Sequence, residues 1–315
     1  MDEWQLFAGC PVTRIRLKGD IERHKISVLK AYAETALINL EPTISQIEKL
    51  LEENTEASVT YAALECRLAI ERICYERLRL AHDYISHDDL RKWQPRDIVK
   101  TLIQEVDEHA ATTLTISIAP EVPSENTTEG FKALDWKPLG TQIGFNPNQF
   151  GTLWNGLANL ALHIEIPTSK DTTVKQYGDM QAIASKVKQA LAEIKQISES
   201  TLMSTGMGEE VSFECVCGSK NKRRLELLKD GQTINCINPD CDESYVYVQS
   251  DMSFGRRTFE IVCRACEASR DIPKRMVEKL RTDQRIHFDC EGCNDTIYVS
   301  WRPMQAQRTE PPQKD

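Results

Sequence analysis

FECVCGSKNKRRLELLKDGQTINCINPDC, Phe213–Cys241, sets four cysteines in two close pairs around a basic, turn-rich middle. The pairs are Cys215-x-Cys217 and Cys236-x4-Cys241, with 18 residues between them. A second quartet follows as CRAC (Cys263–Cys266) and CEGC (Cys290–Cys293), with 23 residues between its pairs. Two short cysteine pairs about 20 residues apart let two tight turns, or knuckles, aim four sulfurs at one tetrahedral ion. Eight of the 11 cysteines are used this way, and Cys10, Cys66 and Cys74 remain. The first residues, MDEWQLFAGCPVTRIRLKGD, have no apolar core of signal-peptide length. No apolar run approaches the roughly 18 residues that cross a bilayer. The expectation is a cytoplasmic chain with no membrane segment, whose cysteines stay reduced and bind metal rather than forming disulfides.

That chemistry predicts two Zn2+ ions. Cys215, Cys217, Cys236 and Cys241 hold one, and Cys263, Cys266, Cys290 and Cys293 hold the other. Four thiolates leave no open position, so both ions are expected to be structural. Sequential pairing is one arrangement. A cross-braced one, with first and third pairs sharing an ion, is the alternative. Gly218 and Pro239 supply turn chemistry within the first quartet. The flanks SYVYV (Ser244–Val248), RTFEIV (Arg257–Val262), RIHFD (Arg285–Asp289) and TIYVSW (Thr296–Trp301) read as short strands. Sheets this small need an ion to persist. Residues 211–250 and 251–302 thus resemble tandem zinc ribbons. The resemblance implies metal and fold, and leaves open DNA, RNA or protein as the ligand.

The longer N-terminal part predicts helices. ALINLEPTISQIEKLLEE (Ala36–Glu53) has apolar residues at helical spacing. Glu56–Ser86 contains neither Pro nor Gly. It carries one stripe of Cys66, Ile70, Ile73, Cys74, Ala81 and Tyr84, and a second of Leu64, Leu68, Tyr75 and Leu78. A helix apolar on two sides belongs at the centre of a bundle, with Cys66 and Cys74 as small core residues. A shorter helix is predicted over Arg96–His109, and a strand over Thr113–Ile118 that pairs with the segment before Asn146-Pro147. A polar loop is expected over Pro123–Gly130. Asn146-Pro147 is a cap followed by a proline at the first helical position, opening a helix that runs to about Ile166. Tyr177–Ser200 is amphipathic. The fold class expected is therefore a mainly α multidomain chain. A helical bundle occupies 1–200 with a small β insertion near 112–144. A linker at 201–210, two small zinc-ribbon β units and a disordered tail at 303–315 follow.

Within RLRLAHDYISHDDLRKW (Arg77–Trp93), Arg77-x4-His82 fits the R-x4-6-H pattern. With the long helix carrying ECRLAIERICYERL, residues from about Ala31 to Ser200 resemble the HEPN-like helical domains of bacterial proteins. Active members of that family are metal-independent RNases. The resemblance implies Arg77 as phosphate clamp and His82 as proton carrier. It also implies a possible homodimer along the long helix. The residues themselves allow another reading, a partly buried Arg77 paired to a carboxylate and a helix-surface His82. On an unbroken helix residues i and i+5 point about 140° apart. Arg281-x5-His287 matches the pattern as well. Asp83 and His87 share a helix face, a salt-bridged helix end rather than a metal site.

Charge is uneven. Residues 1–210 carry 22 of the 39 Lys+Arg and 31 of the 48 Asp+Glu, whereas 211–315 carry 17 of each. No global basic face exists, so nucleic-acid binding would rest on local clusters. Lys220, Lys222, Arg223 and Arg224 lie between the first pair of knuckles, Arg256 and Arg257 between the ribbons, and Lys274 and Arg275 in the second ribbon. Tyr245, Tyr247, Phe254, Phe259, Phe288, Tyr298 and Trp301 are interleaved with them. Cations with rings suit single-stranded RNA or DNA. The same rings also suit the small cores beside each ion. The function expected is a non-catalytic zinc protein, with ribbons that recognise nucleic acid or a partner protein and a helical platform. The alternatives are the RNase and a pure protein adaptor.

Overall fold

The computed structural model describes residues 38–86, 90, 94–119, 127–164, 166–167, 169–204 and 209–301, and the backbone of a strand at 12–15. Cys10, residues 20–37, the loop at 123–126, the linker positions 205–208, His87 and the tail at 303–315 lie outside the described residues. Two compact units emerge. One holds the helices up to Ser212 together with Lys222–Leu228, and the other holds Phe213–Asn221 and the chain from Lys229. Among the described residues helix accounts for 39% and strand for 22%, which corrects the expectation of a mainly α chain. The many short strands around the cysteines offset the bundle.

In the helical unit, α1 (Glu41–Glu53) and α2 (Glu56–Leu80) are separated by Asn54, whose left-handed φ of 48° ends the first helix. Thr55 starts α2 with a capping box. Its hydroxyl accepts from the Ser58 amide at 3.0 Å, and Ser58 Oγ accepts from the Thr55 amide at 3.0 Å. The helix α3 (Pro95–Glu105) follows. Then α5 (Pro147–Ala161) begins with the Asn146 side chain accepting from two amides, as the Asn-Pro pair predicts. The helix α6 (Met180–Ser198) begins on the Asp179 carboxylate. A single turn, α4 (Thr128–Lys132), lies between the strands β2 (Leu114–Ile118) and β3 (Lys137–Gln142).

The helix α2 is central and packs against α1, α3, α5 and α6. Its buried face is rich in small residues, Ala62, Ala63, Cys66, Ala69 and Cys74, which lets neighbouring helices approach closely. Cys66 and Cys74 are core residues, and burial pushes both thiols up to about 12. The first apolar stripe is buried throughout. The second is only partly covered, and Leu68 remains 48% exposed.

The β insertion is a three-stranded sheet in the order β1-β2-β3. Antiparallel β2 and β3 pair as the alternation predicts. The strand β1 (Val12–Ile15) adds a parallel edge; a four-residue strand leaves too short a pattern to stand out in the sequence. Gly144 lets the chain turn close under this sheet, since a Cβ there would lie 2.5 Å from the Thr113 nitrogen.

The second unit is built from β4 (Glu210–Glu214), β5 (Lys220–Arg224), β6 (Thr233–Asn235), β7 (Ser244–Val248) and β8 (Ser253–Arg256). The ends of β4 and β5 belong to the helical unit. Then come β9 (Thr258–Val262), β10 (Ser269–Pro273), α7 (Lys274–Glu278), β11 (Arg285–Asp289) and β12 (Thr296–Ser300). The strands β6-β7-β8 form one antiparallel sheet, and β9-β10 and β11-β12 form two hairpins.

Candidate metal centres

Each cysteine pair sits where a strand ends in a tight turn. In the first centre the Cys215 amide donates to Ser219 O at 2.9 Å, and the Gly218 amide to Cys215 O at 2.8 Å. In the second, Cys263 N–Ala268 O at 2.9 Å and Cys290 N–Asp295 O at 2.8 Å close equivalent loops. The residue after the second cysteine is left-handed in three of the four knuckles: Gly218 (φ 85°), Glu267 (φ 61°) and Asn294 (φ 57°). That conformation turns the chain back so both sulfurs face one point. The remaining knuckle, Cys236-x4-Cys241, uses its longer spacer instead, with the Cys241 amide bonded to Asn238 O at 3.1 Å.

The four sulfurs of each quartet lie within 4.8 Å of one another. In the first, Cys215–Cys241 are 3.7 Å apart and Cys217–Cys236 3.6 Å. In the second, Cys263–Cys293 are 3.7 Å apart and Cys266–Cys290 3.5 Å. A tetrahedron with metal–sulfur bonds of about 2.3 Å has edges of about 3.8 Å, so both donor sets fit one ion. The pairing is sequential in both, and the cross-braced arrangement is excluded. Both centres share one rule: the outer cysteines of the quartet are neighbours, and so are the inner two.

Polar groups approach the sulfurs. Ser219 Oγ lies 3.3 Å from Cys217 Sγ, and Asn221 reaches both the Ser219 carbonyl and the Ile237 amide at 3.0 Å. Burial works against ionisation of Cys217. The Ser219 hydroxyl and amide and the neighbouring thiols outweigh it and hold this thiol down to about 6. The Gly292 amide, 3.4 Å from Cys290 Sγ, leads the contacts that bring that thiol down to about 7. Cys236, Cys241, Cys266 and Cys293 shift the other way, so each quartet by itself favours one thiolate.

Rings complete the first ribbon. Phe213 stacks on Phe254 at 4.4 Å and meets Tyr245 at 4.6 Å. Tyr245 and Tyr247 are buried, and the Tyr245 oxygen accepts from the Val216 amide of the knuckle at 3.2 Å. These aromatics are core. The two ribbons also share contacts within their unit. Arg275 of α7 is buried and donates to the Cys241 carbonyl at 3.1 Å, and Lys279 pairs with Asp242 at 2.8 Å. Trp301 is half open, with its indole N–H bonded to Val277 O at 2.6 Å.

The basic residues divide. Arg223, Arg224 and Arg275 are buried. Arg224 donates to Glu210 at 2.9 Å and lies over the Tyr84 ring at 5.0 Å, and Tyr84 also bonds Glu210. Lys222 is half-buried beside Asp83 at 3.7 Å. Arg256 grips Glu243 in a two-pronged pair at 2.8 and 2.6 Å, and Arg257 pairs with Glu278 at 2.9 Å. Lys274 is half-buried over the Phe259 ring at 5.2 Å, and Lys220 is exposed. The charge run KNKRR marks this strand, but alternation along it turns Asn221 and Arg223 inward.

Arg77 and His82 lie in opposite surroundings. The helix α2 ends at Leu80, leaving His82 exposed beyond it. Arg77, 5% exposed, donates to Ala110 O at 2.7 Å and Ile143 O at 3.3 Å, with the Phe145 ring 5.1 Å away. Main-chain carbonyls thus take the place of the expected carboxylate partner. Burial pushes its guanidinium down to about 10. The carbonyl acceptors lie 33 and 66 residues away, a separation that no local motif signals. Among the described residues no helix is long and apolar enough to cross a membrane, and the two quartets are the only clusters suited to a metal. Compared with family models, curated proteins and solved structures, the chain matches none.

Proposed function

We propose that the chain is a zinc-binding recognition protein in which two structural ions hold the binding surface and the helical unit serves as a platform. The observation that carries this reading is the closure of both quartets by four thiolates at tetrahedral spacing. Zinc suits such sets, and a four-thiolate shell leaves no position for substrate or water. Each ion would fix two knuckles and the strands between them. The binding energy of the ion is then folding energy for sheets too small to stand alone.

The non-catalytic reading is supported by the opposite surroundings of Arg77 and His82. A buried guanidinium held by the Ala110 and Ile143 carbonyls presents no open side to a scissile phosphate. Recognition then falls to the ribbons, with single-stranded nucleic acid as the ligand.

The test measures metal per chain and follows labelled single-stranded RNA and DNA, for retention and for integrity, across a salt series. Two zinc ions per chain and salt-sensitive retention of intact strands are expected. Cleavage that disappears in Arg77→Ala and His82→Ala would overturn the non-catalytic reading. Absence of retention at low salt would overturn the nucleic-acid ligand and make the ribbons protein adaptors.

A further inference from the structure

The hairpin of β11 and β12 has two unlike faces. Ile286, Phe288, Ile297 and Val299 are half-buried on one side. The register sets Arg285 opposite Ser300, His287 opposite Tyr298 and Asp289 opposite Thr296, so these six share the other side. Tyr298 is 68% exposed, the most open aromatic among the described residues. Its ring lies 6.2 Å from the His287 imidazole across the strands. The Thr296 hydroxyl donates to Asp289 at 3.1 Å, which engages that carboxylate locally. Arg285 is exposed and, among the described residues, takes part in none of the ion pairs that occupy Arg256, Arg257, Arg270, Lys279 and Arg281.

This composition selects the partner. A protein-docking face has an apolar centre, whereas here a single ring is surrounded by one free cation, an imidazole and hydroxyls. Stacking on a ring, a phosphate met by a guanidinium, and polar groups for base edges or sugar are what an unpaired nucleotide needs. Arg285 and Tyr298 are diagonal neighbours across the sheet, about 7 Å apart by strand geometry, so the base and phosphate of one nucleotide can meet both. A duplex keeps its bases stacked inside and cannot use the ring.

We infer that the outer face of the β11–β12 hairpin, with Tyr298 as stacking platform and Arg285 as phosphate contact, is a binding site for single-stranded nucleic acid. The site rests on the reading of the ribbons as recognition modules. It is also tied to the second metal centre, because β11 runs directly into Cys290 and β12 begins three residues after Cys293.

The zinc-loaded full chain is titrated into fluorescein-labelled oligouridine, oligodeoxythymidine and a duplex, with anisotropy as readout. Both single strands should bind and the duplex much less; a difference between the two single strands identifies RNA or DNA as the preferred form. Tyr298→Ala and Tyr298→Leu should each weaken binding about tenfold or more, while Tyr298→Phe keeps the affinity of the parent. Arg285→Ala should weaken binding and flatten its salt dependence. Metal content and circular dichroism of each variant confirm that the ribbon is folded. Unchanged binding by both Tyr298→Ala and Tyr298→Leu would overturn this face while leaving nucleic-acid recognition elsewhere on the ribbons intact. Failure of the parent chain to bind any single strand at low salt would overturn both.

Discussion

Arg275, from the short helix of the second ribbon, donates to the main-chain carbonyl of Cys241, a ligand position of the first metal centre, at 3.1 Å. Both groups are buried. The second ribbon therefore orients a knuckle of the first. Outer contacts of this kind commonly change metal affinity by about 10- to 100-fold. Arg275→Met should weaken metal retention at the first centre by about tenfold and leave the second near its original affinity. Competition with a chromophoric chelator, which resolves two release steps, checks this.

The cysteines separate by role. Cys217→Ser should lower bound metal by one ion per chain, because three thiolates no longer close the first tetrahedron. Cys66→Ala should leave both ions in place and cost about 1 kcal/mol through lost packing at a fully buried site. Metal analysis and urea unfolding give the two readouts.

Arg77→Ala should destabilise the helical unit by about 3 kcal/mol, since the Ala110 and Ile143 carbonyls lose their buried donors. His82→Ala, on an exposed turn, should change stability by less than about 0.5 kcal/mol. Comparable large losses in both would contradict the separate environments described for them.

Glu267 is held at φ 61° in a knuckle where the first ribbon has Gly218. A left-handed conformation costs a residue with a Cβ about 1–2 kcal/mol, and asparagine tolerates it better. Glu267→Asn should therefore raise stability by about 0.5–1 kcal/mol, read as a higher chelator concentration needed to unfold the second ribbon.

Asp107 is buried, and burial raises its carboxyl pKa. The native state then holds the proton more tightly than the unfolded chain. Its contribution to stability is largest below the ordinary carboxylate range and is lost as pH rises through the raised value. Nearby groups that temper the shift are the His109 amide and ring and Arg224, with Glu108 acting the other way. Asp107→Asn keeps an acceptor for the His109 amide, at 2.9 Å in the parent. It should lose less stability than the parent between mildly acidic and neutral pH in urea titrations.

The metal centres were legible because the code is local. Two cysteines a few residues apart already fix a knuckle, and two knuckles fix a quartet. The stripe of Cys66, Ile70, Ile73 and Cys74 was equally plain, since helical period shows within a few turns. Other features depend on partners far along the chain. Nothing near Arg77 marks the end of its helix at Leu80, and its acceptors come from the loops around the β insertion. Charge in the run KNKRR is visible, but its direction is not. Arg224 faces Glu210 and Tyr84, the latter 140 positions away, so a basic patch in the sequence becomes an internal contact in the fold. Tyr298 could be singled out as an aromatic among cations, while its exposure followed only from the register of β11 against β12.

Lys222–Leu228 belong to the helical unit although the chain on either side of them belongs to the metal-binding one. The polypeptide therefore enters the second unit, returns to the first and leaves it again before the second knuckle pair of the first ribbon. No single cut divides the molecule into its two units. Cutting the chain after Ser212 would therefore carry Lys222–Leu228 away from the helical unit together with both ribbons.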